Sequence, residues 1–167
     1  MKGFPTHATV SRTISSPVGN LILLASAEGL AGLFFGHRIE RDSLPSEDAG
    51  NGHLAAAEKQ LREYFAGKRT RFDLPFDVAG TDFQKRVWAE LSRIPFGVTR
   101  SYGEIAARIG NPKSVRAVGL ANGANPLSVI VPCHRVIGAN GSLTGFGGGL
   151  ELKRRLLVLE GALLDVA

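Results

Sequence analysis

Gly110-Asn111-Pro112 cuts a helical pattern into two short pieces. Upstream, Ser101-Tyr102-Gly103-Glu104 has the spacing of a capping box and opens an apolar run through Ile105, Ala106 and Ile109. Downstream, Lys113 to about Gly123 reads as a further helix. Glycine and proline end helices, so the break is firm, and two short helices across a three-residue turn make a helix-turn-helix, although plain packing units use the same pair. The second helix is unusually smooth. It carries Gly119 and Gly123 beside Ala117, Ala121 and Ala124. Each glycine costs about 1 kcal/mol relative to alanine in a helix interior. Close helix packing is one explanation, and close approach of a nucleic-acid groove is the other. Arg116 is the most prominent long side chain on this helix, and arginine suits both phosphates and bases.

The rest of the chain falls around this pair. Residues 7–37 alternate as strands, with turns at Pro17-Val18-Gly19-Asn20 and Ala27-Glu28-Gly29. Residues 39–52 are polar and predict a loop. A helix is expected from about His53 to Ala66, with Leu54, Ala57, Leu61 and Phe65 on one face and Gly67 as its stop. RFDLPFDVA predicts a short extended segment, and Ala79-Gly80 is the candidate boundary. Thr81-Asp82-Phe83-Gln84 is another capping box. Phe83, Val87, Leu91 and Ile94 then recur at helical spacing up to Pro95, while Lys85 and Arg86 fall on the solvated side. The fold class is therefore α/β (α+β): a small N-terminal lobe over 1–79 with an antiparallel sheet and helix, and a mainly helical unit over 80–167.

Charge separates the halves. Residues 1–80 hold nine Lys/Arg and nine Asp/Glu, whereas residues 81–167 hold eleven Lys/Arg and six Asp/Glu, so the whole net charge of +5 lies in the second half. An anionic partner such as nucleic acid fits that asymmetry. No stretch approaches the roughly 20 apolar residues of a membrane span, and the first twelve residues lack an apolar signal core, so a cytoplasmic protein is expected.

The chain has a single cysteine, Cys133, in VIVPCHRVIGANG. It excludes an internal disulfide and any multi-thiolate zinc site. A lone cysteine is usually an inert small hydrophobe. Here His134 and Arg135 follow it, and an imidazole or cation favours the reactive thiolate. Val129-Ile130-Val131 predicts a buried strand, and Pro132 must turn the chain if thiol and imidazole are to share one side. Arg135 reads as a structural or phosphate-facing cation. A catalytic imidazole needs a third group to orient it. Glu160 sits at the C-terminal end of LELKRRLLVLE, among leucines and where the helix dipole disfavours a carboxylate, so it calls for a partner from elsewhere.

These residues carry a resemblance. PCHRV at 132–136, SYGEIA at 101–106, RAVGLANGANP at 116–126 and TGFGGG at 144–149 occur in order, and with them the chain resembles the methylated-DNA–protein-cysteine methyltransferases, or O6-alkylguanine-DNA alkyltransferases. The resemblance runs from about Gly80 to Gly161. It implies a ribonuclease H-like N-terminal lobe and a winged-helix-like DNA-binding domain. It implies one-turnover transfer of an alkyl group from O6-alkylguanine, and from O4-alkylthymine, in double-stranded DNA to Cys133, with base flipping and no cofactor or metal. His134 would act through a water as base, Glu160 would orient it, and Asn125 would hold the active-site turn. Tyr102 would crowd the target phosphate and protonate the departing base, and Arg116 would fill the vacated stack. Ser101, Ala117, Gly119, Ala121 and Gly123 would face DNA, with the helix in the minor groove. Val136, Phe146 and Gly147 would line the substrate pocket.

Two departures matter. Some relatives have Tyr and Ser where this chain has Phe146 and Gly147, so the expected pocket is roomier and admits adducts larger than methyl. Some bind zinc in the first lobe, and this chain lacks the cysteines. A monomer is expected, nucleoid-associated when bound, with cooperativity along DNA left open. Three other classes of protein use parts of this pattern. A non-catalytic lesion binder would not need Cys133. A thiol hydrolase would turn over. A redox sensor would need a resolving cysteine.

Overall fold

The computed structural model describes residues 5–47 and 51–164. The chain divides into two compact units, Met1–Ala79 and Gly80–Ala167.

The first unit is built on a four-stranded sheet of β1 (Val10–Ile14), β2 (Leu21–Ala25), β3 (Leu30–Phe35) and β4 (Ser46–Glu47), in the order β3-β2-β1-β4. β1 and β3 flank β2 antiparallel, with Val10 opposite Ala25 and Leu21 opposite Phe35. Every residue of the central strand LILLA is buried, which explains its continuous apolar run. The hairpin turns at Gly19, whose φ of 100° suits glycine. β4 adds a parallel edge to the expected antiparallel sheet and corrects the expectation of a plain loop over 39–52. It pairs parallel with β1, Val10 beside Ser46, and a 3-10 turn at Arg41–Ser43 precedes it. Residues 48–50 of that segment lie outside the described residues. RFDLPFDVA makes only an isolated bridge, Leu30 to Phe76.

Helix α1 (Gly52–Phe65) begins because the Asn51 side chain accepts from the Leu54 N–H at 3.0 Å. It buries Leu54, Ala57, Leu61 and Tyr64 against the sheet. Tyr64 replaces the expected Phe65 on this face, because the 3-4-3 spacing from Leu54 reaches 64.

In the second unit, α2 (Asp82–Leu91) has the full capping box, with Thr81 Oγ1 accepting from Gln84 N at 3.1 Å and Gln84 Oε1 from Thr81 N at 2.9 Å. It ends at Leu91, before Ile94, which is buried in the turn that follows. Trp88 joins the core and donates to the Ala121 carbonyl at 2.9 Å. Arg86 does more than face solvent, since it donates to the Ile109 carbonyl at the end of the next helix. α3 (Tyr102–Arg108) has only half of its box. Ser101 accepts from Glu104 N at 3.1 Å, whereas the Glu104 carboxylate lies 3.7 Å from Arg100. Gly110, at φ 80°, ends α3, and α4 (Val115–Gly123) starts two residues after the expected Lys113. α2, α3 and α4 pack on one another. Two strands, β5 (Arg100–Ser101) and β6 (Val136–Ile137), pair in parallel, and α5 (Leu150–Leu159) closes the unit.

Candidate active site

Val129-Ile130-Val131 is buried but is not a strand. It is a tight turn, and Val129 has φ 72°, a left-handed conformation that a β-branched residue adopts only under constraint. Asn125 supplies part of that constraint. Its Nδ2 donates to the Val131 carbonyl at 2.8 Å, and its Oδ1 accepts from Leu127 N at 3.0 Å. The chain then passes Pro132 into a 3-10 turn over Cys133–Arg135. Three successive side chains thus leave a curved backbone rather than alternate across a strand, which meets the condition set by Pro132.

Cys133 is buried, with 4% of its surface exposed, and His134 is fully enclosed. His134 Nε2 meets Glu160 Oε2 at 3.0 Å. Arg135 grips the same carboxylate with both ends, Nε to Oε1 and Nη2 to Oε2 at 2.8 Å each. Its remaining nitrogen donates to the Ile94 carbonyl at 2.6 Å, and the guanidinium lies 5.9 Å from the centre of the Phe96 ring. Arg135 is therefore a buried structural cation and does not face phosphate. Glu160, the C-cap of α5, finds His134 and Arg135 as partners in the Cys133–Arg135 turn. Burial alone would raise its carboxyl, but the hydrogen bonds from Arg135 and His134 outweigh this and hold it at about 2. Burial pushes His134 below its ordinary value despite the opposing pull of Glu160. Burial thus favours the neutral imidazole. A carboxylate only accepts, so Nε2 carries the hydrogen and Nδ1 keeps a free lone pair.

Lys153 was not anticipated. It has no exposed surface, and its Nζ donates to the carbonyls of Val136 at 2.5 Å and Thr144 at 2.7 Å. Burial draws its pKa down to about 8, and the charge of Cys133 acts in the opposite direction. The signal was in its register: Leu152, Lys153, Leu156, Leu157 and Glu160 form one inward stripe of α5 and its cap. Asn122 was missed for the same reason, being in register with Val118 and Ala121 on the inner face of α4.

The other expected residues divide by position. Val136 is buried beside the thiol turn. Tyr102 is half-buried, and its hydroxyl sits 3.2 Å from Thr144 Oγ1, so α3 reaches the loop that carries Phe146 and Gly147. Phe146 is half-buried and Gly147 exposed. On α4, Arg116, Ala117 and Gly123 are exposed and Gly119 is half-buried, as is Ser101, the N-cap of α3. Ala121 is a correction. It is buried, because the helix turns it toward Trp88 and away from the Arg116 face. The glycines are not demanded by internal packing. A Cβ at Gly123 would meet nothing within 4 Å, and one at Gly119 would only touch the Tyr102 ring at 3.9 Å.

Fold and site together define a two-unit αβ protein whose helix-turn-helix unit encloses a Cys-His-Glu constellation. The match to known proteins agrees. The family described as 6-O-methylguanine DNA methyltransferase covers the chain in two parts, its ribonuclease-like domain at residues 9–78 and its DNA-binding domain at 82–162. The chain belongs to this family. A methylated-DNA–protein-cysteine methyltransferase of Mycobacterium bovis is 53% identical over 149 residues, 89% of this chain and 90% of the relative. One of Methanosarcina acetivorans is 50% identical, over 88% of this chain and 95% of its own length. The crystal structure of Mycobacterium tuberculosis OGT in complex with DNA is 51% identical, with a TM-score of 0.84 over 92% of this chain and 94% of that one.

Proposed function

We propose that this protein repairs alkylated DNA by direct reversal, moving the alkyl group of O6-alkylguanine onto Cys133 in a single turnover. The observation that carries this reading is the buried thiol beside a neutral imidazole whose far nitrogen is fixed by Glu160. His134 removes the thiol proton, relayed through water. The thiolate attacks the alkyl carbon, the carbon–oxygen bond breaks, and guanine leaves with the bonding pair. Tyr102, whose hydroxyl meets Thr144, would supply a proton to the departing base. The product is a thioether with no easy leaving group, so the protein is consumed.

A thiol this enclosed cannot reach a stacked base, so the nucleotide must be extruded. Arg116 would fill the gap from the exposed face of α4, where Ala117, Gly119 and Gly123 allow the helix to approach the minor groove closely. Asn125 and Val129 hold the thiol in place while the base moves. Phe146 and Gly147 carry no side-chain hydroxyl to hold the guanine, so the pocket would admit adducts larger than methyl.

The test is incubation with DNA carrying labelled O6-methylguanine, followed by mass spectrometry. One methyl on Cys133 and a plateau at one equivalent are expected, and Cys133→Ala should bind DNA without accepting the label. Continued turnover, or an intact Cys133, refutes the reading. Competition between methyl and bulky O6-adducts tests the pocket. Strong selectivity for methyl alone refutes a roomy one.

A further inference from the structure

Transfer to Cys133 by way of His134, Glu160 and Tyr102 leaves Asn122, a polar group beside the nucleophile's backbone, without a task. Asn122 lies on the inner face of α4 with 4% of its surface exposed, and its Nδ2 donates to the Cys133 carbonyl at 3.4 Å. A carbonyl only accepts, so the amide nitrogen must face it, and the orientation of Asn122 Oδ1 follows. That oxygen and His134 Nδ1 are buried acceptors with no hydrogen-bond partner among the described residues. Asn122 holds the carbonyl of the peptide that joins Cys133 to His134, and His134 is the next residue of that peptide. A buried acceptor without a donor costs about 1–3 kcal/mol, and a water offers two hydrogens and a lone pair.

We propose that Asn122 is a positioning residue whose Oδ1 fixes the water that carries the proton from Cys133 to His134. The inference rests on Cys133 being the alkyl acceptor. The water gives one hydrogen to Asn122 Oδ1 and points the other at His134 Nδ1, so its lone pair faces the sulfur. The S–H bond breaks and its proton joins the water oxygen. The O–H bond toward His134 breaks, and that proton joins Nδ1. The water is regenerated, the thiolate is formed, and the imidazolium charge is held by Glu160. Asn122 itself gains and loses no proton. The charged groups around His134 are Arg135 on its own turn and Glu160 and Lys153 from α5, and they stay unchanged in the variants below.

The test compares the full-length protein with Asn122→Leu and Asn122→Ser. Each is alkylated at Cys133 by iodoacetamide across a pH series, with no DNA present, and each is then given O6-methylguanine DNA. In Asn122→Leu the midpoint of the iodoacetamide profile should rise by about one pH unit, a tenfold loss of thiolate at neutral pH. In Asn122→Ser, whose hydroxyl oxygen lies one bond nearer the helix but can still accept from the water, part of the shift should disappear. Thermal unfolding checks that each variant is folded, and Asn122→Ala replaces the leucine variant if that one is not. A folded variant without the acceptor that keeps the wild-type midpoint overturns the proposal. So does loss of DNA transfer with an unmoved midpoint, which would assign Oδ1 to the incoming base. Failure of the wild-type protein to accept label from DNA refutes the function itself, and the iodoacetamide comparison still reads Asn122.

Discussion

Glu160 closes a helix where the dipole disfavours its charge, and it is held there by a bidentate guanidinium and an imidazole. Removing one partner of such a buried set strands the other. Glu160→Gln should therefore lower stability by about 3–5 kcal/mol in urea titrations, most of it from the unpaired Arg135. The pH dependence has a definite sign. The carboxyl sits at about 2 in the folded protein against an ordinary 4.5. Its stabilisation is complete above 4.5 and is lost as pH falls toward 2, so the wild-type protein should lose stability over this window and Glu160→Gln much less. Lys153 behaves oppositely. Its folded value of about 8 lies below 10.5, so between these pH values the unfolded chain binds more protons. The stability of the wild-type protein relative to Lys153→Met should rise over that interval in thermal unfolding. A flat difference would mean that the ammonium is not desolvated as its burial implies.

At the scale of elements, α4 trades stability for a smooth surface. Gly119 and Gly123 weaken a nine-residue helix, yet no neighbour in the protein requires either. Gly123→Ala should raise stability by up to about 1 kcal/mol and weaken binding to alkylated DNA in the same preparation. Stabilisation with unchanged DNA affinity would show that this face meets nothing. The thiol turn makes the opposite trade. Val129 is held at φ 72° by surrounding bonds, among them those of Asn125. Asn125→Ala should destabilise by about 1–3 kcal/mol by leaving the Val131 carbonyl unpaired, and should slow transfer by more than the folded fraction accounts for. Rates corrected for the folded fraction check this.

Across the whole molecule, charge and chemistry lie in the same part of the sequence. Residues 81–167 carry the entire excess of +5 and also Cys133, His134 and Glu160. Binding to DNA should therefore weaken with salt, log affinity falling linearly against log salt concentration as phosphate counterions are released. Filter binding across 50–200 mM salt, a window in which phosphate-bound proteins lose affinity steeply, checks this, and a flat response would count against a backbone-contacting surface. Sequence alone determined what depends on near neighbours: the helix-turn-helix around Gly110-Asn111-Pro112, the capping box at Thr81, the central strand, and the demand of Glu160 for a distant partner. Those features rest on spacing, caps and turn residues. The tertiary structure decided the rest. It turned Val129-Ile130-Val131 from an expected strand into a strained turn, decided Arg135 for the structural of its two roles by pairing it with Glu160, buried Ala121, and brought Asn122 to the Cys133 carbonyl and Lys153 to the Val136 carbonyl. A side chain's partner across the fold is set by packing between elements distant in sequence, and for these residues periodicity gave only the face, not the neighbour waiting there.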